Sequence, residues 1–410
     1  MRTEIIDAIR KRCQERGLDA YLAYTPSNVF YVTGFQSFFH MEWWRMQGTV
    51  LALVPADPAQ PPALLVSDFE AGQARAVSGF DDVRDYQVWV ELRDAESLGT
   101  TAHDACGVRP AQFDRAEQDA LLRGILADRG LLGGRIGTDL RFVLHDTVQR
   151  VAAFAPDLSW HDMTDELYEL RAVKYDFEVD RLRRATELSE AGMLHAAHGA
   201  AAGMTALDMR HLYVQGVVER AMSDERYAGY SDHWVLPAVG SGTKIGVDSE
   251  RSHPLGDGDL IKFDCGTTVG GYRGDGGRTF AFRSVPPAAE RLYGVLAEAH
   301  ERARAVIAPG VAIKEIFDAA QTHIRTHGYP AFTRGHYGHS LGIDTFHEEP
   351  PYISADEDRP LLPGMVLAVE TPAYSSDTGA IMIEDLVLVT RDGHELLHTL
   401  PHELTVVGRS

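Results

Sequence analysis

Three cysteines in 410 residues, widely spaced at Cys13, Cys106 and Cys265, are too few for a disulfide framework and form no C-x-x-C pattern. That scarcity points to a reducing cytoplasm. Basic residues are also in short supply: 39 Lys and Arg stand against 60 Asp and Glu, a net charge of −21. Such a surface opposes nucleic acid and anionic membranes, both of which are bound through positive patches. No apolar run is long enough and uncharged enough to cross a bilayer. Met1 to Gly17 lacks the apolar core of a signal peptide, and its Ile5, Ile6, Ile9 and Cys13 follow helical spacing instead. Internal repeats and low-complexity tracts are absent.

What is present suits a soluble enzyme. With 44% hydrophobic residues the chain can bury substantial cores, and its length predicts two domains, residues 1–165 and 166–410. In the first, Tyr21–Tyr24, Val50–Val54, Ala63–Val66 and Arg135–Gly137 are short β-rich runs between helical ones, the pattern of an α/β domain. Glu166 to Gly199 predicts a long charged helix opening the second domain, and Arg291–Glu301 and Ile313–Arg325 predict two more. Strands between and after them make this part α+β.

Chemistry concentrates in the second half. Ile261-Lys262-Phe263-Asp264 reads as a strand followed by a glycine turn and a second strand near Asp275, a hairpin that brings the two aspartates together. His339 lies between glycines in Gly338-His339-Ser340-Leu341-Gly342. Glu370 ends the apolar run Met365–Val369, and Glu384 interrupts Ile381–Val389. An unpaired carboxylate in a buried strand is unfavourable by several kcal/mol or takes up a proton. Four converging carboxylates repel one another, whereas two divalent cations cancel their charge. Oxygen-rich ligation with one imidazole suits Mn, Fe, Co or Zn. Taken singly these residues read as turn, edge and loop positions; taken together they point to a two-metal hydrolytic site.

On these residues the sequence resembles the creatinase/prolidase/methionine aminopeptidase superfamily, the pita-bread metallopeptidases. His347-Glu348-Glu349-Pro350 is similar to the family's second histidine motif, and Leu170–Lys174 with Glu178 to its entry into the catalytic domain. Asp19–Leu22 and Ser27–Phe35 are similar to the creatinase-type N-terminal domain, which narrows the resemblance to the two-domain prolidase, aminopeptidase P and creatinase branch. The resemblance implies a pita-bread catalytic domain behind a smaller creatinase-type α/β domain. It implies that Asp264 holds one metal, that Asp275 and Glu384 bridge both, and that His339 and Glu370 hold the other. His339, His347 and Glu370 are then the catalytic residues, with His347 facing the substrate carbonyl or carboxylate. The expected cofactor is two divalent ions per subunit, manganese first, with cobalt, zinc or iron as alternatives. The expected partners are a small peptide or small-molecule amide and a second subunit of a homodimer.

The substrate side departs from the family pattern. Met382 stands where prolidases and aminopeptidases P carry arginine two residues before the last glutamate, so a bidentate clamp for a carboxylate is missing there. Gly335 replaces the histidine four residues before His339, with His336 displaced by one. Gly277 replaces a threonine, and Gly240–Asp248 carries no histidine for proton shuttling; His233 and His253 are its nearest candidates. One extra residue separates His339 from His347. Phe38–Met46 is the densest aromatic cluster, and it reads either as core or as a loop reaching a partner's site, where Arg45 contacts an anion and Trp43 covers an apolar group. His336, His347, Arg45, Trp43 and Met382 are therefore the expected substrate contacts. The leading expectation is a dinuclear amide hydrolase of Xaa-Pro dipeptidase or aminopeptidase P type. Behind it stand a specialised non-peptide enzyme of the creatinase or ectoine hydrolase kind and a noncatalytic binding protein on the same scaffold.

Overall fold

A computed structural model describes residues 2–98, 108–240, 253–344 and 348–408. The chain divides into two compact units, Met1–Leu170 and Arg171–Ser410. The division falls inside the helix Thr164–Ala172.

In the first unit the helix Thr3–Arg16 buries Ile5, Ile6, Ile9 and Cys13, and Gly17 closes it in a left-handed conformation. A six-stranded mixed sheet contains β1 (Ala20–Ala23), β2 (Leu51–Pro55), β3 (Ala63–Ser67), β4 (Asp82–Tyr86), β5 (Arg135–Thr138) and β6 (Ser159–Asp162). Its order is β4-β3-β2-β1-β5-β6. The short apolar runs form its inner strands because every residue of β1, β2 and β3 is buried. Asp139, wholly buried just after β5, ties the sheet to the helix Pro26–Thr33. Its carboxylate accepts from Tyr21 Oη, from the backbone N–H of Tyr24 and Thr25 at 3.1 and 2.9 Å, and from Asn28 Nδ2 at 2.8 Å. Asn28 is thus a structural anchor of this unit.

The aromatic cluster divides between core and surface. Phe39 is buried and packs on Trp43, Phe69 and Trp89 with ring centroids 5.2–5.7 Å apart. Phe38, Met41 and Met46 are exposed, and the Arg45 guanidinium lies 5.1 Å from the Trp44 ring.

The second unit is built on an eleven-stranded sheet. It contains β7 (Tyr230–Val235), β8 (Ala238–Val239), β9 (Leu260–Val269), β10 (Tyr272–Arg273), β11 (Gly276–Phe282), β12 (His336–Ser340), β13 (Glu349–Ser354) and β14 (Val366–Glu370). After a separate hairpin of β15 (Ala373–Ser375) and β16 (Gly379–Ile381) come β17 (Glu384–Val389), β18 (His394–Leu396) and β19 (Thr405–Val407). The main path runs β10-β9-β11-β17-β14-β12-β13, with β7 and β8 on β9, β18 on β17, and β19 on β11.

Two apolar clusters pack helices on this sheet. Ile261, Phe263 and Cys265 of β9 meet the helices Asp176–Gly199 and Ala206–Met222. Leu367 and Val369 of β14 and Val387 and Val389 of β17 meet the helices Pro287–Ala305 and Lys314–Thr326. The predicted helix from Glu166 to Gly199 is broken: Thr164–Ala172 ends, Val173 bridges to Met365, and the Lys174 N–H donates to Gly364 O at 2.9 Å. Glu178 then caps the new helix by accepting the Tyr175 N–H at 2.8 Å. Charge patterning alone does not reveal a break made by a strand-like contact to a distant turn.

Candidate metal centre

Side chains alternate across a strand, so the helix-facing Ile261, Phe263 and Cys265 leave Lys262 and Asp264 on the opposite face of β9. The same rule puts Glu370 opposite to Leu367 and Val369, and Glu384 opposite to Val387 and Val389. The registers then align them: Glu370 pairs with Glu384, Glu384 with Gly277, and Gly277 with Asp264. Three carboxylates therefore lie in one row across four strands. Asp275 joins two residues before Gly277 on the same face, and His339 joins opposite Ala368, two residues before Glu370.

Two glycines let the outer members approach. A Cβ on Gly266 would stand 1.9 Å from Gly274 O, so only glycine admits the returning chain that delivers Asp275. The Gly270–Gly271 turn, with both φ values positive, closes this hairpin as its sequence predicts. At Gly338 φ is 129° and a Cβ would lie 1.8 Å from Ala368 O. The irregular register of β12 with β13 sits at this point. It sends Tyr337 into the helix-packed core while His339, two residues later, faces the carboxylates.

One ligand atom each from Asp275, His339 and Glu384 lies within 4.8 Å of the others, and all three residues are buried. His339 Nδ1 lies 2.8 Å from Ser340 O, and a carbonyl only accepts; Nδ1 therefore carries the hydrogen and Nε2, 3.5 Å from Asp275, offers its lone pair. Burial lowers His339 to about 4, which keeps the ring neutral. Burial, with the neighbouring Asp264 and Glu370 charges, holds Asp275 far above the usual carboxylate range. Burial and the charges of Asp275, Glu370 and Asp264 do the same to Glu384. Burial likewise raises Glu370 to about 7, against the opposing pull of Arg334. Crowded buried carboxylates beside a neutral imidazole fit a divalent cation of hard to borderline character, whose charge removes the repulsion.

Two cationic side chains at this face were not foreseen as site residues. Lys262, 3% exposed, donates to Asp264 Oδ2 at 2.8 Å, and Arg334 Nη2 donates to Glu370 Oε1 at 2.9 Å. The signal for Lys262 is present in the alternation of β9; Arg334 lies in a loop whose course no local pattern predicts. His336 comes to the site, with Nδ1 3.5 Å from Glu370 Oε1. Met382 is buried, and its side chain fills the space over Gly277, where a Cβ would meet Met382 Cγ at 2.3 Å. Gly335 has open space around it. His233 hydrogen-bonds with Tyr230 Oη at 2.8 Å, and His253 lies 3.0 Å from Asp259 Oδ2. Trp43 and Arg45 belong to the first unit, packed as described above. His347 and the Ser241–Asp248 stretch lie outside the described residues.

Among the described residues a second group, His300, Asp385 and His402, also brings ligand-type atoms together. Here a guanidinium already supplies the positive charge: Arg278 lies 2.5 Å from Asp385 Oδ1 and also donates to the Glu384 carbonyl at 2.7 Å.

Comparison with known proteins follows this architecture. The Creatinase/Prolidase N-terminal domain family matches residues 5–173, and metallopeptidase family M24 matches residues 180–391. The chain is 31% identical to a probable dipeptidase PepE of Mycobacterium bovis over 60% of its own length, spanning 63% of that relative. It is 25% identical to the putative dipeptidase YkvY of Bacillus subtilis over 98% of this chain and 99% of that one. Its fold is that of the X-Pro aminopeptidase of Thermotoga maritima, with a TM-score of 0.77 at 23% identity over 98% and 99% of the two chains. The fold is therefore a creatinase-type α/β unit followed by a pita-bread α+β unit, and the chain belongs to metallopeptidase family M24.

Proposed function

We propose that this chain is a metal-dependent hydrolase that cleaves an amide bond in a small peptide, with Xaa-Pro dipeptides as the first substrates to test. The observation that carries this reading is the cross-strand row Glu370–Glu384–Gly277–Asp264, flanked by Asp275 and His339. In it the unit Arg171–Ser410 is the catalytic domain and Met1–Leu170 the creatinase-type domain. Asp264, Asp275, His339, Glu370 and Glu384 would hold two divalent ions, manganese first. Bound there, such ions supply a water ionised near neutral pH and polarise the scissile carbonyl.

The chain's own groups do the rest. Glu370, the last residue of β14, would take the proton from the attacking water and return it to the leaving nitrogen. Ser340 O holds the His339 ring in one tautomer, which preserves its orientation through turnover. His336 and Arg334 flank Glu370 and offer donors to a substrate carboxylate. His347 and Met382 are further proposed substrate contacts, and Trp43 and Arg45 are those of the reading in which the Phe38–Met46 loop of a second subunit reaches the site. Buried free thiols at Cys13 and Cys265 agree with a reducing cytoplasm. Homodimerisation and the native ion belong to the same reading; sedimentation and metal analysis of protein isolated from its host test them.

A second reading, a specialised enzyme for a non-peptide amide, is favoured by Met382 lying over Gly277 where a guanidinium would otherwise read a carboxylate. A reconstituted sample assayed on Xaa-Pro dipeptides, Xaa-Pro-Yaa peptides and cyclic or guanidino amides separates the two. Turnover of dipeptides above the rest supports the first; turnover confined to non-peptide amides replaces it with the second. A metal-loaded protein inert to the whole panel overturns both.

A further inference from the structure

Lys262 is the one charged side chain besides Asp264 on the ligand face of β9, and it is held there from both sides. It pairs with Thr279 of β11 and with Ala238 of β8, so the sheet, not a flexible loop, sets its position. Its ammonium is 2.8 Å from Asp264 Oδ2, 3.5 Å from Leu236 O and 5.8 Å from the centre of the Tyr374 ring. An acceptor carboxylate, a backbone carbonyl and an aromatic face are the surroundings that a fixed, water-poor cation needs. At the far end of the row the Arg334 guanidinium sits on Glu370.

The charge count follows from these contacts. Once ionised to bind metal, Asp264, Asp275, Glu370 and Glu384 carry four negative charges, and Lys262 and Arg334 return two. The centre's own charge is then two negative, which one divalent ion cancels and a second overshoots. The two ends are also unequal. Asp275, His339 and Glu384 already converge within 4.8 Å, while the Asp264 carboxylate is shared with an ammonium that repels any cation approaching it. Lys262 is 3% exposed, and its contacts with Asp264, Leu236 O and Tyr374 hold the ammonium at this end of the row.

We propose that Lys262, acting through Asp264, weakens divalent-ion binding at the Asp264 end of the row and leaves the position at Asp275, His339 and Glu384 unaffected. This rests on the reading of the row as a metal centre. Lys262 is a positioning and affinity-setting residue, acting through Asp264. The charge on its side chain, rather than its length, is the operative property, so Lys262→Arg should preserve the weakening and Lys262→Met should relieve it.

The test is calorimetric titration of the demetallated full chain with Mn2+, run beside frozen-solution electron paramagnetic resonance, which distinguishes an isolated Mn2+ from a coupled pair. In the natural protein the second equivalent should bind at least about a hundredfold more weakly than the first, with coupling absent at one equivalent. Lys262→Met should tighten the second equivalent at least about tenfold, leave the first within about threefold, and give the coupled signal at lower Mn2+. Lys262→Arg should titrate like the natural protein, and Lys262→Gln serves in place of Lys262→Met should the latter fail to fold. Two equivalents of equal affinity in the natural protein, or a second equivalent unmoved by Lys262→Met, would overturn the proposal. Failure of the natural protein to take up even one Mn2+ would instead overturn the metal-centre reading beneath it.

Discussion

Gly277 and Met382 occupy one volume, and separating them gives a quantitative test of how the row is packed. Gly277 stands between Asp264 and Glu384 in the register, and its φ lies outside the left-handed region, so the question is space alone. A Cβ there would meet Met382 Cγ at 2.3 Å and Phe263 O at 2.9 Å. Gly277→Ala overpacks the site and should destabilise the second unit by about 1–3 kcal/mol. Met382→Ala empties a position that is 2% exposed and should cost about 2–5 kcal/mol. In the double variant the alanine methyl enters the space that the methionine leaves, so the combined loss should fall short of the sum by about 1 kcal/mol or more. Rescue stays partial because Phe263 O is backbone and does not move with Met382. Since the chain has two units, a single unfolding curve mixes their transitions. Hydrogen exchange of β9 and β11 amides, read by mass spectrometry, isolates the relevant one. Losses that add to within about 0.3 kcal/mol would show that the two residues do not compete for space and would refute the argument.

Two further perturbations probe the frame. Arg278→Met leaves the Asp385 carboxylate buried without its guanidinium and strips donors from the Glu384 and Leu400 carbonyls. The loss should be about 3–5 kcal/mol in the β11 and β17 amides, and the Arg278→Met/Asp385→Leu pair should lose less than Arg278→Met alone. His40 tests pH in the first unit: burial lowers it from 6.5 to about 3, so the unfolded chain binds more protons than the folded one between those values. Stability of that unit is therefore fully present above pH 6.5 and falls as pH drops toward about 3. His40→Gln should flatten the slope between pH 4 and 6 in the first unit's amides, and an unchanged slope would show that His40 is not its source.

The five proposed ligands were legible because each breaks an otherwise apolar strand or sits beside a glycine, and strand alternation then puts them on one face. The helix Thr3–Arg16 and the inner strands of the first unit followed from the same periodicities. Local pattern failed where a distant contact decides the outcome. The break at Val173–Tyr175 depends on Gly364 and Met365, far along the chain. Met382 reads as a lost arginine in the sequence, yet in the fold it compensates the lost side chain at Gly277. Phe38–Met46 looked like a single aromatic unit, but Ser37 caps a short helix that turns Phe39 inward and leaves Phe38 outside. Lys262 was readable by period two, one residue before Phe263 and two before Asp264. Charge alone does not point to it, because a lysine beside a proposed metal ligand adds to the wrong side of a simple charge argument.

On the proposed reading, the Asp275, His339 and Glu384 cluster binds a divalent ion. Plasma mass spectrometry of demetallated protein, reconstituted with Mn2+ and freed of excess, tests it directly when the natural protein is run beside Asp275→Asn/Glu384→Gln. The account predicts at least about one ion per chain in the natural protein and less than about one tenth in the variant, with folding of both checked by circular dichroism. A natural protein that retains no ion, or a folded variant that retains as much as the natural one, would contradict it.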